Sequence, residues 1–382
     1  MPETKVVPAA DQFGALLAMQ QALAGEVTLF IAAEAREELT PSAYSLADSY
    51  EDVALIVETS GSTAAPKRVA LSADALLASA RATEQRLGGG GIWLLTLPTN
   101  YIAGAQVLVR SVLADTQPVM MNQAVPFTAE GFARMAGLLS GERLYTSLVP
   151  TQLHRLAVAV DHDEYLLRQL LRFDAILVGG QASDPLVLQK LRLLGVNLVV
   201  TYGSSESAGG CVYDGVPLEG VSVRVNDGVI ELGGNTLASG YLDADQNLTD
   251  AAAFYSAGGE RWYRTSDLGS FEDGKLRVIG RADRVFISGG VKVSLDELET
   301  AAAGLAGVVQ VAAVALRDAE WGERAALLYV GSPEVADDLA GAVLSNLGPA
   351  ANPVRVIRVD ELPRLANGKT DYLGIVAYFE SA

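Results

Sequence analysis

From Asp11 onward, apolar runs of strand length alternate with segments of helical period, and no other feature narrows the fold as far. Such alternation builds an α/β domain around a largely parallel sheet. Residues 53–57, 92–97, 175–178 and 197–200 read as buried strands. Between them Ser72 is placed to cap a helix reaching residue 87, Thr151 to cap one over 152–160, and Pro185 to open a third that ends near Gly195.

After residue 209 the texture changes. Short alternating runs at 221–225 and 229–231, punctuated by Asp-Gly and Gly-Gly pairs, predict an antiparallel β-rich subdomain. From residue 280 the mixed pattern returns, with a helix expected over 295–303, strands over 308–316 and 325–330, and a helix over 335–347. The expected organisation is α/β: a large N-terminal α/β domain with a β-rich subdomain over 1–280, then a small C-terminal α+β domain over 281–382. No internal repeat or low-complexity tract is visible.

Composition removes several function classes. The 382 residues carry 28 Lys and Arg against 46 Asp and Glu, a net charge of −18 that argues against nucleic acid or an anionic membrane as partner. One cysteine, Cys211, makes neither an internal disulfide nor a Cys-based zinc site, and two histidines, His154 and His162, leave little room for metal chemistry. Residues 1–12 lack a basic-then-apolar signal, so a cytoplasmic location is expected. The uncharged run 88–109 is long enough to raise a membrane span, but Pro98, Asn100 and Gln106 interrupt it and four glycines open it, so no integral membrane segment is expected.

The first chemical signal is Thr59-Ser60-Gly61-Ser62-Thr63-Ala64-Ala65-Pro66-Lys67, directly after the apolar strand. Small residues let backbone amides approach an anion, hydroxyls add donors, and Lys67 supplies a full charge, so a polyphosphate is the natural ligand. A P-loop NTPase needs glycine before the lysine and Ser or Thr after it. Here Pro66 and Arg68 stand there, and proline removes an amide that a P-loop aims at phosphate.

Residues 59–67 resemble the phosphate-loop signature of the adenylate-forming superfamily of acyl-CoA synthetases and luciferases. Further matches follow in the family's order: Ile176-Leu-Val-Gly-Gly-Gln181, Thr201-Tyr-Gly-Ser-Ser-Glu206, Tyr263-Arg-Thr-Ser-Asp-Leu-Gly269, Gly280-Arg-Ala-Asp283 with Ile287-Ser-Gly-Gly290, and Asn367-Gly-Lys369. The resemblance implies attack of a carboxylate on the α-phosphorus of ATP, release of pyrophosphate, and transfer of the acyl group from the adenylate to CoA. It implies ATP, Mg2+ and coenzyme A as cofactors and co-substrates, a small-molecule carboxylic acid as partner, and a small domain that is mobile. A homo-oligomer is compatible with the sequence.

Carried over residue by residue, the resemblance makes Lys369 the adenylation lysine, Glu206 the magnesium ligand, and Thr59, Ser60, Gly61, Ser62, Thr63 and Lys67 the phosphate loop. Gly179, Gly180 and Gln181, with Thr201, Tyr202, Gly203 and Ser204, then bind ATP, the Tyr202 ring stacking on adenine while Gly203 lets the nucleotide close in. Asp267 and Arg281 meet the ribose, Asp283 is the hinge, and Ser288, Gly289, Gly290 and Lys292 lie near the pantetheine of CoA. Because ATP is polyanionic, a chain of net charge −18 must gather cations within roughly the 8 Å Debye length of it, and Lys67, Arg281 and Lys369 are the candidates.

For the acid, residues 146–156 and 97–110 are most similar to the 2-succinylbenzoate-CoA ligases of menaquinone biosynthesis, a branch of the family. The non-reacting carboxylate of such a substrate needs donors, and Asn100, Tyr101, Arg110 and Arg155 are the candidates. Many family members carry histidine where this chain has Asn100-Tyr101, and Ala64 replaces a usual glycine. If position 64 requires positive φ, alanine costs about 1 kcal/mol. Two alternatives therefore stay open: a synthetase for another aryl or aliphatic acid, and a non-catalytic nucleotide or acyl-adenylate binder.

Overall fold

The computed structural model describes residues 3–33, 52–59, 67–243, 246–250, 252–364 and 370–381. Two sheets carry the large domain, where the alternation pattern alone suggested one. The first runs in the order Glu3–Pro8, Val27–Ala32, Val53–Thr59, Lys67–Ser72, Gly240–Leu242, Leu248–Thr249. Its first three strands are parallel and the rest antiparallel, so the sheet is mixed. The second has the order Val216–Pro217, Gly209–Tyr213, Leu198–Ser204, Ala175–Val178, Leu144–Leu148, Ile92–Leu95, Val119–Met120. It is parallel from Leu198–Ser204 to Val119–Met120 and closes with two antiparallel strands.

Helices Gln12–Leu23, Ala73–Leu87 and Ile102–Leu113 fill the space between the sheets, packed on Leu55, Val57, Val69 and Leu71 from one and Trp93, Leu95, Tyr145 and Leu177 from the other. The sandwiched helix Ile102–Leu113 is accordingly buried at every position from Gly104 to Ser111. Leu94, Leu144, Ile176 and Val178 point to the opposite face of the second sheet, where helices Ala129–Ala136, Pro150–Ala159, Glu164–Leu170 and Pro185–Leu193 cover them. A strand's period of two thus supplies both cores from one set of strands.

Local signals agree with these elements in detail. Ser72 accepts a hydrogen bond from the Ala75 amide at 3.1 Å, and Gly88 ends that helix at φ 89°. At the next helix the sequence expectation is corrected: it starts at Pro150, with Val149 as the cap, and Thr151 lies inside its first turn. Proline at the first helical position gives up only an amide that would have been unpaired. The 88–109 run divides into a strand and a helix, and no helix among the described residues is long and apolar enough to cross a membrane.

The β-rich subdomain is an antiparallel sheet of Val221–Asn226, Val229–Gly234, Glu260–Glu272 and Phe254–Ala257, with Lys275–Arg281 paired to Glu260–Glu272. The C-terminal unit is α+β. Its sheet runs Val291–Ser294, Val285–Ser288, Gly322–Gly331, Val308–Asp318, with Arg355–Arg358 parallel to Gly322–Gly331. Helices Leu295–Ala303 and Ala336–Leu347 cover one face and Tyr372–Ser381 the other.

Candidate active site

Strand carboxyl ends in a parallel sheet end at one edge, and two of the matched motifs, 176–181 and 201–206, meet there. Ala175–Val178 runs out into Gly179-Gly180-Gln181, and the neighbouring strand ends in Thr201–Ser204. A side chain at 179 would bring its Cβ within 2.3 Å of Thr201 Oγ1, so only glycine lets the two ends close up. Gly203 is needed for the same reason, since a Cβ there would sit 2.1 Å from the Gly209 carbonyl oxygen. Asn100 and Tyr101 follow the strand Ile92–Leu95 at this edge, half-buried, just before the helix Ile102–Leu113.

The chain then bends sharply. Ser207 Oγ accepts from the Ser204 amide at 2.9 Å and donates to the Gly209 carbonyl, and Ala208 adopts φ 51°. The Ala208 carbonyl receives Ser79 Oγ at 3.0 Å and Gln106 Nε2 at 2.8 Å, so two buried side chains hold this left-handed turn. The turn presents Glu206, which is 9% exposed and whose Oε1 accepts a hydrogen bond from the Tyr241 hydroxyl at 2.9 Å.

Tyr202 reaches the β-rich subdomain: its hydroxyl donates to Asp267 Oδ2 at 2.7 Å. Burial pushes the Asp267 carboxyl above its usual range against the Tyr202 hydrogen bond and Arg281, and burial with the Asp267 charge pushes the Tyr202 phenol up strongly. Thr265 Oγ1 accepts the Asp267 amide at 3.0 Å, within the stretch 265–267 where the pairing with Val229–Gly234 shifts register. Asp267 lies opposite Arg281 in the strand register, and the Arg281 guanidinium is bidentate on Asp283 at 2.7 and 2.8 Å.

Thr59 and Lys67 face each other across an antiparallel pair, Thr59 Oγ1 donating to the Lys67 carbonyl at 3.3 Å. The strands on either side of residues 60–66 are therefore antiparallel neighbours, whereas a P-loop leads from a strand into a helix. Ser60, Gly61, Ser62, Thr63 and Ala64 lie outside the described residues, as does Lys369. Lys67 Nζ stands 5.5 Å from the centroid of the Tyr241 ring.

Several residues named from sequence are placed elsewhere. Arg110 is 3% exposed, two helical turns along Ile102–Leu113, stacked 4.8 Å from the Trp93 ring in the core. Burial pulls its guanidinium below the usual arginine range, and its place in the core against Trp93 is not that of the solvent-open ligand expected from sequence. Arg155 is exposed on the helix Pro150–Ala159 and donates one hydrogen bond to the Phe127 carbonyl at 3.0 Å. Ser288 is fully buried, so of the CoA candidates only the Gly289-Gly290 turn and Lys292 face solvent. Burial pushes the Cys211 thiol up to about 12, which rules it out as a nucleophile at neutral pH.

Sequence reasoning missed Tyr241 and Thr265. Thr265 lay inside a quoted motif without a role. Tyr241 follows a glycine in a short strand, and nothing local distinguishes it from a core tyrosine.

Comparison with known proteins agrees with this geometry. Residues 7–241 match the AMP-binding enzyme family and 297–369 the AMP-binding enzyme C-terminal domain. The chain is 38% identical over 383 aligned positions to a probable 2-succinylbenzoate–CoA ligase of Mycobacterium tuberculosis, covering 98% of this chain and 97% of that one. It is 30% identical to 2-succinylbenzoate–CoA ligase of Escherichia coli over 81% of this chain and 65% of the relative. A solved structure of wild-type E. coli MenE with a bound m-phenylether-linked analogue of OSB-AMS superposes with TM-score 0.67 at 26% identity, covering 86% of this chain and 70% of that one. With its two sheets, its C-terminal unit and a family match over more than half its length, the chain belongs to the AMP-binding enzyme family, that of the ATP-dependent, adenylate-forming acyl-CoA ligases.

Proposed function

We propose that the chain adenylates 2-succinylbenzoate with ATP and transfers the acyl group to CoA, a step of menaquinone biosynthesis. The observation that carries the choice of acid is the 38% identity, over nearly the whole of both chains, to the probable 2-succinylbenzoate–CoA ligase. In the first half-reaction a carboxylate oxygen bonds to the α-phosphorus and pyrophosphate leaves with its electron pair. The attacking group is already ionised at neutral pH, so no general base is needed and the protein's work is positioning and charge stabilisation.

In this reading the Tyr202 ring stacks on adenine, with Gly179, Gly180, Gln181, Thr201, Gly203 and Ser204 around the base. Asp267 keeps Oδ2 on the Tyr202 hydroxyl and offers Oδ1 to the ribose hydroxyls, with Arg281 beside it. The segment between Thr59 and Lys67 brackets the phosphates. Lys369 neutralises the α-phosphate and the incoming carboxylate, and Asn100 and Tyr101 meet the carboxylate that does not react.

Magnesium is the remaining requirement of the reaction. Among the described residues no group of three or more His, Cys, Asp or Glu is placed to hold a metal ion. Magnesium takes few protein ligands and completes its shell with water and substrate phosphates, and Glu206 fits that: Oε1 holds Tyr241, and the side chain makes no other hydrogen bond among the described residues. Bound there with ATP, the ion would offset phosphate charge. The test is acid-dependent exchange of labelled pyrophosphate into ATP. 2-Succinylbenzoate is expected to support exchange and CoA-thioester formation well above palmitate or acetate, and equal rates with palmitate or acetate would overturn the assignment.

A further inference from the structure

We infer that Tyr241 is a positioning residue of the ATP site, setting the Glu206 carboxylate and the Lys67 ammonium at once; the inference rests on the ATP-binding reading above and adds a residue to it. Tyr241 sits in the three-residue strand Gly240–Leu242, paired antiparallel to Lys67–Ser72 with Tyr241 opposite Val69. The strand is pinned on both sides, because the Ala238 amide donates to the Glu206 carbonyl at 2.8 Å and the Ser239 amide to the Ala70 carbonyl at 2.8 Å. Tyr241 is thus registered by backbone bonds to both segments whose side chains it touches.

Its contacts are chemically distinct. The hydroxyl donates to Glu206 Oε1, which leaves Oε2 as the free oxygen and fixes the rotamer of a carboxylate that is otherwise unheld. The ring underlies Lys67 Nζ at 5.5 Å, a cation–π distance that restrains a long side chain otherwise exposed at the loop's end. The ring also packs on Phe254, with centroids 5.6 Å apart, an apolar contact away from both charges' hydrogen bonds.

A tyrosine that only fills the core would affect stability and not the metal requirement, and calorimetric ATP binding separates the two. Wild-type protein is titrated with ATP in EDTA and over a series of magnesium concentrations. In Tyr241→Phe the ring and its contact with Lys67 remain and the bond to Glu206 is lost. Affinity in EDTA is expected to stay within about twofold, while the magnesium concentration for half-maximal enhancement rises roughly tenfold or more. In a Glu206→Ala background Tyr241→Phe should add nothing further. Tyr241→Leu, which also removes the ring, should in addition weaken magnesium-free ATP binding about threefold. Phe254→Leu, which loosens the packing and leaves the hydroxyl, should leave the magnesium requirement unchanged. An unchanged magnesium requirement in Tyr241→Phe, or an undiminished effect in the Glu206→Ala background, overturns the inference alone. Failure of the wild type to bind ATP in either condition overturns the ATP-binding reading and the inference with it.

Discussion

At the scale of single residues, charge in this molecule is placed where burial makes it matter. Glu299 illustrates this outside the candidate site. Its Oε1 accepts from Arg284 at 2.6 Å and from the Ala313 amide at 2.7 Å, its Oε2 takes the Tyr372 hydroxyl at 3.3 Å, and Asp296 shares Arg284. Burial pushes its carboxyl up to about 7, outweighing Arg284. An acid raised in the folded state binds its proton there while the unfolded chain has already lost it, from the ordinary value of 4.5 up to about 7. Stability therefore falls as pH rises through that window and levels off above it. Urea denaturation from pH 5 to 8 should show wild type losing on the order of 1–2 kcal/mol relative to Glu299→Gln, which has nothing to titrate at this position. A second residue-scale expectation concerns Asp267. Asp267→Asn still accepts from Tyr202 but loses the charge and acceptor capacity for two sugar hydroxyls, so the KM for ATP should rise about tenfold or more with melting temperature little changed. An unchanged KM would remove Asp267 from the ribose.

Elements decide whether such residues meet. The strand ends 179–181 and 201–204 form one wall because glycines stand where two backbones approach, and the edge is sensitive to any added Cβ. Gly203→Ala would place that atom 2.1 Å from the Gly209 carbonyl and force apart the two strands that carry Tyr202 and the Glu206 turn. A stability loss of about 2–3 kcal/mol is expected by urea denaturation, together with loss of pyrophosphate exchange. Gly220→Ala, with nothing within 4 Å, should leave exchange intact although its φ of 75° still costs stability. These strands were legible in the sequence because a buried parallel strand is a plain apolar run, and Ala175–Val178 is bounded as expected. The helix Leu295–Ala303 was legible for the same reason of unambiguous period. The make-up of the first sheet was not legible, because pairing partners are set by long-range packing: Lys67–Ser72 joins Gly240–Leu242 across more than 160 residues. Tyr241 was hidden by the same distance. Arg110 failed differently, since an arginine in an apolar helix reads as amphipathic, and a helix enclosed between two sheets has no wet face for it.

Across the whole molecule, the ATP-side residues and Lys369 fall on opposite sides of residue 281, and we propose that the two half-reactions use different faces of the C-terminal unit. Arg281 ends a strand of the β-rich subdomain, while Asp296 belongs to the first C-terminal helix, and the Arg281 amide donates to Asp296 Oδ2 at 2.8 Å across the junction. The guanidinium of Arg281 and the carboxylate of Asp283 are 48% and 46% exposed, so exchanging their pair for water costs little. A junction held by such bonds can turn. Each orientation would bring one face of the C-terminal unit to the nucleotide, first the loop with Lys369 and then the Gly289-Gly290 turn with Lys292. Lys369→Ala should lose at least about 100-fold in pyrophosphate exchange, as for removal of a transition-state charge contact, yet still form thioester from synthetic acyl adenylate and CoA. Asp283→Pro fixes φ within the turn Ala282–Arg284 and removes the Arg281 pair. It should keep exchange and slow thioester formation. Both variants are to be given the same synthetic adenylate, so that the second half-reaction is measured without the first. If Lys369→Ala fails equally in both half-reactions, one face serves both and the alternation is wrong; if Asp283→Pro forms thioester at the wild-type rate, the turn is elsewhere than at 283.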